Sequence, residues 1–289
     1  MSGDTGARWM SLPEAMQRFV HDGDGVALEG FTHLIPFAAG HELIRQGRRD
    51  LHLLRMTPDL IYDQMIGMGC ARRLTFSWGG NPGVGSLHRL RDAIEHAWPH
   101  ALELDEHSHA GMAAAYTAGA SGLPFGVLRG YRGCDLPQHN PRISSVQCPY
   151  TGETLATVPA LRPDVTILHA QCADALGNVS LHGIVGAQRE AALAARHVVV
   201  TVEQRVERFA PAMNQLLLPH WVVSAVVLCP LGAWPSYALG HYARDNAFYL
   251  QWDAIARDRE RFRQWMQDYV LDTTGHAEML RRLHGKGAA

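Results

Sequence analysis

Asp164-Val-Thr-Ile-Leu-His-Ala170-Gln-Cys-Ala-Asp174-Ala-Leu-Gly177-Asn178-Val179 joins an apolar run to a tight polar turn. Val165 to Leu168 is short, continuous and rich in β-branched residues, with Pro163 before it, which predicts a strand covered on both faces. Gly177-Asn178 closes a turn behind it, because Gly and Asn tolerate positive φ and Asp174 can hydrogen-bond nearby backbone. Taken alone, such a turn also suits a structural loop in any α/β protein.

The flanking segments repeat the alternation. Ser11-Leu-Pro13-Glu14 predicts a helix start with a capping box, and strands are expected at 26–28, 51–54, 73–76 and 198–202. Between them the patterns predict helices over 37–47, 60–68, 87–96 and 188–195. Strands and helices at this spacing imply an α/β fold with an open, largely parallel sheet and helices on both faces, whose ligands sit at the carboxyl ends of the strands. A strand at 102–104 leads to a polar bend, Asp105-Glu-His-Ser-His109, and then to an Ala-rich helix over 110–118. Residues 126–147 read as a long loop. Phe248, Trp252, Ile255, Phe262, Trp265 and Tyr269 recur at helical spacing. They divide the chain into an α/β domain, 1–240, and a helical C-terminal extension, 241–289, packed on that domain or on a partner.

At 289 residues and 47% apolar content the chain can bury a large core. A net charge of −2 gives no basic face for nucleic acid, and Lys286 is the sole lysine. Phosphate-rich ligands must therefore meet arginine, helix N-termini or a partner subunit. Cys70, Cys134, Cys148, Cys172 and Cys229 are odd in number and lack C-x-x-C spacing, which argues against a disulfide framework or zinc ribbon and suits a reducing cytosol. The N-terminus carries no basic segment followed by a long apolar core. The longest apolar stretches, such as 221–229, are too short to span a bilayer, so a cytoplasmic protein without membrane association is expected.

Ala170-x-x-Ala173-Asp174-x-x-Gly177-Asn178 after a buried strand, followed by His197-Val-Val-Val-Thr-Val-Glu203-Gln, resembles the family I coenzyme A transferases, specifically their α subunit, over residues 9–207. The resemblance implies a coenzyme A thioester as substrate, no permanently bound cofactor, and a β subunit as partner in an α2β2 or larger assembly. In heteromeric members the β subunit supplies a glutamate that attacks the acyl-coenzyme A, passes through a mixed anhydride and becomes a glutamyl thioester. Its strand-Glu-x-Gly signature has no convincing copy here, Glu29-Gly30 being nearest. Thr57-Pro58-Asp59 stands where 3-oxoacid transferases have a Ser-Asn-Asn type segment, which leans toward the glutaconate-type branch while leaving the 3-oxoacid type open. The alternative is a thioester hydrolase or ring-opening subunit in degradation of a cyclic compound, with Glu106 or His109 as base. A non-catalytic ligand-binding protein of the same architecture also stays open.

The candidate site residues fall in four segments. Glu29-Gly30-Phe-Thr32-His33-Leu-Ile-Pro36 resembles the family's Gly-rich loop, with Thr32 and His33 replacing part of the Gly run. Gly30 would let backbone approach a ligand, and the following helix would turn its positive end on a coenzyme A phosphate or a carboxylate. In Ser77-Trp-Gly79-Gly80-Asn81-Pro-Gly-Val-Gly85, four glycines in nine residues imply that backbone lies close to substrate or to another subunit. His109 and Glu106 are the catalytic candidates. His109 falls where 3-oxoacid transferases carry a Gln whose amide holds the thioester oxygen, and an imidazole N–H can do that work. Glu106 could cap the following helix or orient His109. Arg129 and Arg132 offer guanidinium donors for a carboxylate or phosphate. His107 and His109 lack the i, i+4 spacing of a zinc-binding helix, so no metal is expected. Glu203 reads as structural.

Overall fold

The computed structural model describes residues 8–81 and 84–285. Pro82 and Gly83 of the glycine-rich loop, and residues 286–289 of the tail, lie outside the described residues. The chain runs through β1 (Arg8–Trp9), α1 (Leu12–Phe19), β2 (Gly25–Glu29), α2 (Phe37–Arg45), β3 (Leu51–Leu54), α3 (Leu60–Gly67), β4 (Ala71–Phe76), α4 (His88–His96) and β5 (Glu103–Glu106). Next come α5 (His109–Ala120), β6 (Phe125–Leu128), α6 (Leu136–His139), β7 (Ser144–Gln147) and β8 (Thr154–Pro159). Then follow β9 (Val165–Ala173), β10 (Val179–Leu181), α7 (Gln188–Ala194), β11 (His197–Arg205), β12 (Leu216–Leu218) and β13 (Ala225–Leu228). The tail holds α8 (Asn246–Arg257), α9 (Arg259–Met266), a π-helical turn at Gln267–Leu271, and α10 (His276–His284).

The main sheet has the parallel order β1-β13-β11-β9-β2-β3-β4-β5, with β10 and β12 added antiparallel beyond the end of β9. β9 is the central strand and is buried throughout except at Cys172, as its unbroken apolar run predicts. The turn after it closes as its residue types dictate. Asp174 accepts hydrogen bonds from the N–H groups of Leu176 (3.0 Å) and Asn178 (2.9 Å), and Gly177 takes φ +89°. Ser11 caps α1 in a full capping box with Glu14.

Helices α1 to α4 cover one face, where Met16, Phe37, Leu43 and Leu60 share a continuous core with Phe248, Trp252 and Phe262 of the tail. Each such side chain contributes about 1.5–3 kcal/mol when fully buried. On the other face α5 and α7 pair, and α7 lies on β2 and β9.

Three expectations are corrected. Residues 126–147 are not a long loop: β6, β8 and β7 form a separate antiparallel sheet, with the short helix α6 between β6 and β7. Most of its side chains are exposed or half-buried, so no apolar run marked it as sheet. Asp105 and Glu106 belong to β5 rather than to a bend, because parallel pairing with Thr75 and Phe76 extends the strand past its apolar residues. His109 is the first residue of α5, since Ser108 caps that helix.

Candidate functional site

The carboxyl ends of β2, β3 and β4 meet the amino end of α5. Met56, just past β3, joins them through its peptide groups. Its carbonyl accepts the Ser77 N–H at 3.1 Å and the Ser77 hydroxyl at 2.7 Å, and its N–H faces Glu29 Oε1 at 3.4 Å. Ser77 Oγ also lies 3.2 Å from His109 Nδ1.

A hydroxyl has one hydrogen to give. Two oxygens 2.7 Å apart need that hydrogen between them, so the His109 contact is an Nδ1–H donated to Ser77 Oγ. In the neutral ring Nε2 is therefore bare and accepts. It donates only when the ring carries its second proton, which is the reverse of the polarity expected for a neutral imidazole here.

Ser108, not Glu106, caps α5: its Oγ accepts the Gly111 N–H at 3.0 Å, while its own N–H donates to Tyr131 Oη at 3.0 Å. Gly111 is required by this contact, since a Cβ there would lie 1.9 Å from Tyr131 Oη. Glu106 is exposed and registered with Phe76. No hydrogen bond or ion pair among the described residues links its carboxylate to His109.

Glu29 ends β2 and is only 3% exposed. Tyr116 donates its hydroxyl to Glu29 Oε1 at 2.8 Å, and burial pushes the carboxyl's pKa up against the pull of nearby Arg55. Beyond it the loop folds back on itself. Thr32 (φ +63°) and Leu34 (φ +53°) are both left-handed, a costly state for a β-branched residue. Leu34 N–H donates to Tyr237 O at 2.9 Å, and buried His33 sets Nε2 3.1 Å from His182 O with its ring against Tyr237. Gly30 makes room for protein rather than ligand, because a Cβ would meet Leu34 O at 2.7 Å and His33 O at 2.9 Å. The expected anion seat on α2 is likewise taken by protein. The Ala38 N–H donates to Gly232 O at 3.0 Å, and Phe37 to Ile44 are buried.

The remaining candidates separate. Ser77 is half-buried beside His109, and Gly79 lies exposed after it. Gly80 packs under the Trp78 ring, and Asn81 is buried, donating Nδ2–H to Tyr249 O at 3.0 Å, so it anchors the loop to α8. Arg129 and Arg132 are not brought to His109. Both pair with Glu153, at 3.1 and 3.0 Å, on the small antiparallel sheet. Glu203 is buried and accepts from His169 (2.6 Å), Tyr242 (2.8 Å) and Leu231 N–H (2.8 Å). Burial would raise its pKa, but the His169 contact and these donors hold it below the ordinary value.

Next to the Met56 junction lies a largely apolar cavity of about 290 Å³, lined by Phe31, Met56, Ala113, Thr117, Val185 and Glu190 among others. Sequence reading missed Met56 and Tyr116. The available signal was Tyr116 as a bulky side chain in an Ala-rich helix; Met56 acts through its backbone and leaves no signal.

The coenzyme A transferase family model matches residues 9–228. Over 94% of this chain and 96% of the relative, the sequence is 63% identical to the A subunit of the 3-oxoadipate CoA-transferase of Pseudomonas knackmussii. It is 31% identical to the A subunit of the glutaconate CoA-transferase of Acidaminococcus fermentans, over 95% and 91% of the two chains. The crystal structure of glutaconate coenzyme A-transferase from that organism superposes with a TM-score of 0.89 at 29% identity, covering 96% of this chain and 93% of that one. The crystal structure of a variant of the decarboxylase AibA/AibB superposes with a TM-score of 0.77 at 32% identity, over 91% and 99%.

The chain belongs to the coenzyme A transferase family. Within it, this is the α-type chain of a heteromeric acyl-CoA:carboxylate CoA-transferase. No helix among the described residues is long and apolar enough to cross a membrane.

Proposed function

We propose that this chain forms one wall of a thioester pocket in a transferase whose carboxylate substrate is 3-oxoadipate or a close 3-oxo dicarboxylate, while a β subunit supplies the attacking glutamate. The 63% identity to a chain of a 3-oxoadipate CoA-transferase supports the substrate. The state of Glu29 supports the division of labour. The one carboxylate that ends a strand at the Met56 junction is buried and tied to Tyr116, so it cannot reach a thioester carbonyl.

In this reading the β-subunit glutamate attacks the carbonyl carbon of the acyl thioester, and the carbonyl oxygen becomes negative as the centre turns tetrahedral. His109 can donate Nε2–H to that oxygen whenever both ring nitrogens hold hydrogen, and Ser77 holds the ring by accepting from Nδ1. Collapse expels coenzyme A as thiolate and leaves an anhydride. The thiolate then attacks the glutamyl carbonyl and releases the first carboxylate. Thr32 and Gly79 are the exposed loop residues that meet substrate, Gly30, His33, Gly80 and Asn81 hold those loops in place, and Arg129 and Arg132 stay with Glu153 and take no part. Glu106 serves on the exposed side of β5. Coenzyme A is a substrate, no cofactor is held permanently, the assembly is α2β2 or larger, and the setting is the cytoplasm.

The test is reconstitution. This chain alone, the assembled enzyme, and assembled Glu29→Gln and Glu190→Gln variants are assayed for coenzyme A transfer to 3-oxoadipate. The chain alone is expected to be inert and both variants to stay active. Full turnover by the isolated chain, or loss of activity in a folded Glu29→Gln or Glu190→Gln enzyme, overturns the division of labour.

A further inference from the structure

The register across β2 to β5 aligns Gly25, His52, Arg73 and Glu103 on one face, with Leu54, Thr75 and Asp105 in the next row of that same face. The opposite face carries Leu53 and Leu74 into the main core. A parallel sheet ordinarily buries both faces under apolar side chains. Here the second face floors a cavity of about 300 Å³ that reaches the amino ends of the strands at Gly23 and Gly25. Arg72, Arg142 and Arg162 stand around it.

Two of the acidic groups at this cavity are turned inward and accept hydrogen bonds. Asp105 accepts from Thr75 (3.0 Å) and Asn140 (3.0 Å), and it also binds Arg73 and His107. Burial alone would raise its pKa; the donors from His107, Asn140 and Arg73 hold it well below the usual carboxylate range. Asp164 accepts the Gly25 N–H at 2.8 Å. Glu103, more than half exposed at the rim, reaches Arg73 at 3.5 Å and Arg142 only at 3.9 Å.

The guanidinium groups are less committed. Each has five N–H donors. Arg72 uses Nε on Asp50 O and Arg162 one donor on Leu123 O, while the nearest approach of Arg142 to Asp105 is 3.5 Å. Two further nitrogens at this cavity are buried without a hydrogen-bond partner, Arg73 Nε and His107 Nδ1. Four guanidiniums therefore face three carboxylates, of which Asp105 is fully engaged, so the cavity holds more cationic N–H donors than its carboxylates take up.

We propose that this cavity binds a small oxyanion, a phosphate or a carboxylate, between Arg73, Arg142 and Arg162, as a site separate from the thioester pocket. Planar guanidinium forks suit either anion, because each can take two parallel N–H···O bonds. The cavity runs along one face of the sheet, from Gly23 and Gly25 at the amino end of β2 to His107 just past the carboxyl end of β5, and its lining includes neither Ser77 nor His109. β5 links the cavity to the thioester pocket, with His107 on the cavity and His109 two residues further on.

Calorimetric titration of the assembled enzyme with inorganic phosphate, and separately with succinate, tests this. Saturable binding of at least one anion is expected, weakened about tenfold or more by Arg142→Ala and by Arg162→Ala, a size consistent with loss of a charge-assisted hydrogen bond. The phosphate and succinate arms tell which anion the site prefers. Both variants should keep the melting temperature and the turnover rate measured without added anion. Binding that is not saturable, that both variants leave unchanged, or that competes with acyl-coenzyme A overturns the proposal. So does binding seen with the free chain but lost on assembly, which would mean that the partner subunit fills this face.

Discussion

His41 makes the acid stability of this chain predictable in size and sign. Its ring is buried on α2, donates Nε2–H to Gln64 Oε1 at 2.7 Å and leaves Nδ1 buried without a partner. Burial pushes its pKa from the ordinary 6.5 down to about 3. As pH falls through 6.5 the unfolded ring takes a proton and the folded ring does not. The unfolded state then binds more protons, so the stability present above pH 6.5 is lost progressively down to about pH 3. At about pH 5 the loss from this one ring is about 2 kcal/mol. His276 repeats the arrangement, donating Nε2–H to Leu231 O at 2.9 Å with its pKa lowered to about 4, and adds a loss of about the same size. Against a total stability of about 5–15 kcal/mol, the two together are a large fraction. Urea unfolding of the wild type and of His41→Leu at about pH 7.5 and about pH 5 isolates the effect, because groups common to both proteins cancel in the comparison. The variant should be less stable at the higher pH, and its stability should fall by about 2 kcal/mol less between the two. Equal falls within about 0.5 kcal/mol would refute the account of a neutral, half-satisfied ring.

Other outcomes follow from the site. His109→Ala should lower kcat by about a hundredfold if the ring stabilises the oxyanion, and His109→Gln should recover much of this because an amide N–H donates without a second proton. Equal kinetics for the two variants would remove His109 from the chemistry. Ser77→Ala should free the ring to exchange tautomers, visible as a changed ¹⁵N spectrum of His109; an unchanged spectrum would mean that Ser77 does not hold it. Gly30→Ala should cost about 2 kcal/mol or more in unfolding experiments, since the added methyl meets backbone oxygens that cannot swing aside. Gly111→Ala should displace Tyr131 and reduce activity, and removal of that side chain in the double variant with Tyr131→Ala should make the methyl tolerable.

The parallel sheet was legible because β9, β2 and β11 are buried on both faces and so appear as unbroken apolar runs. β6, β7 and β8 were hidden for the converse reason. Their pairing is backbone hydrogen bonding between strands whose side chains meet solvent, and nothing in residue type forces Ser144-Ser-Val-Gln147 to be a strand. In the candidate site, His109 was marked by its place in the resemblance to the 3-oxoacid transferases and Ser77 by its position just past a strand, and the contact between them was not legible. Nor was the Met56 carbonyl that fixes the Ser77 hydrogen, since a peptide group has no signature.

That carbonyl decides more than position. Residue identity made His109 a plausible donor, yet donor or acceptor character in an imidazole depends on where one hydrogen sits, and here that hydrogen is assigned by a neighbour's backbone. The same reasoning separates Glu29 from a nucleophile. By sequence it is only the nearest approach to a strand-Glu-x-Gly signature that has no convincing copy here; by structure its Oε1 accepts from Tyr116 beneath a loop that carries two left-handed residues. A buried carboxyl of raised pKa in a closed site is a poor nucleophile, because attack needs an ionised oxygen with a path to the carbonyl. Opening that path would require the 30–36 loop to give up its tie to Tyr237 and the seat of His33 together. A carboxylate carried on a second subunit needs no such movement, and the chemistry is thereby placed between chains rather than within this one.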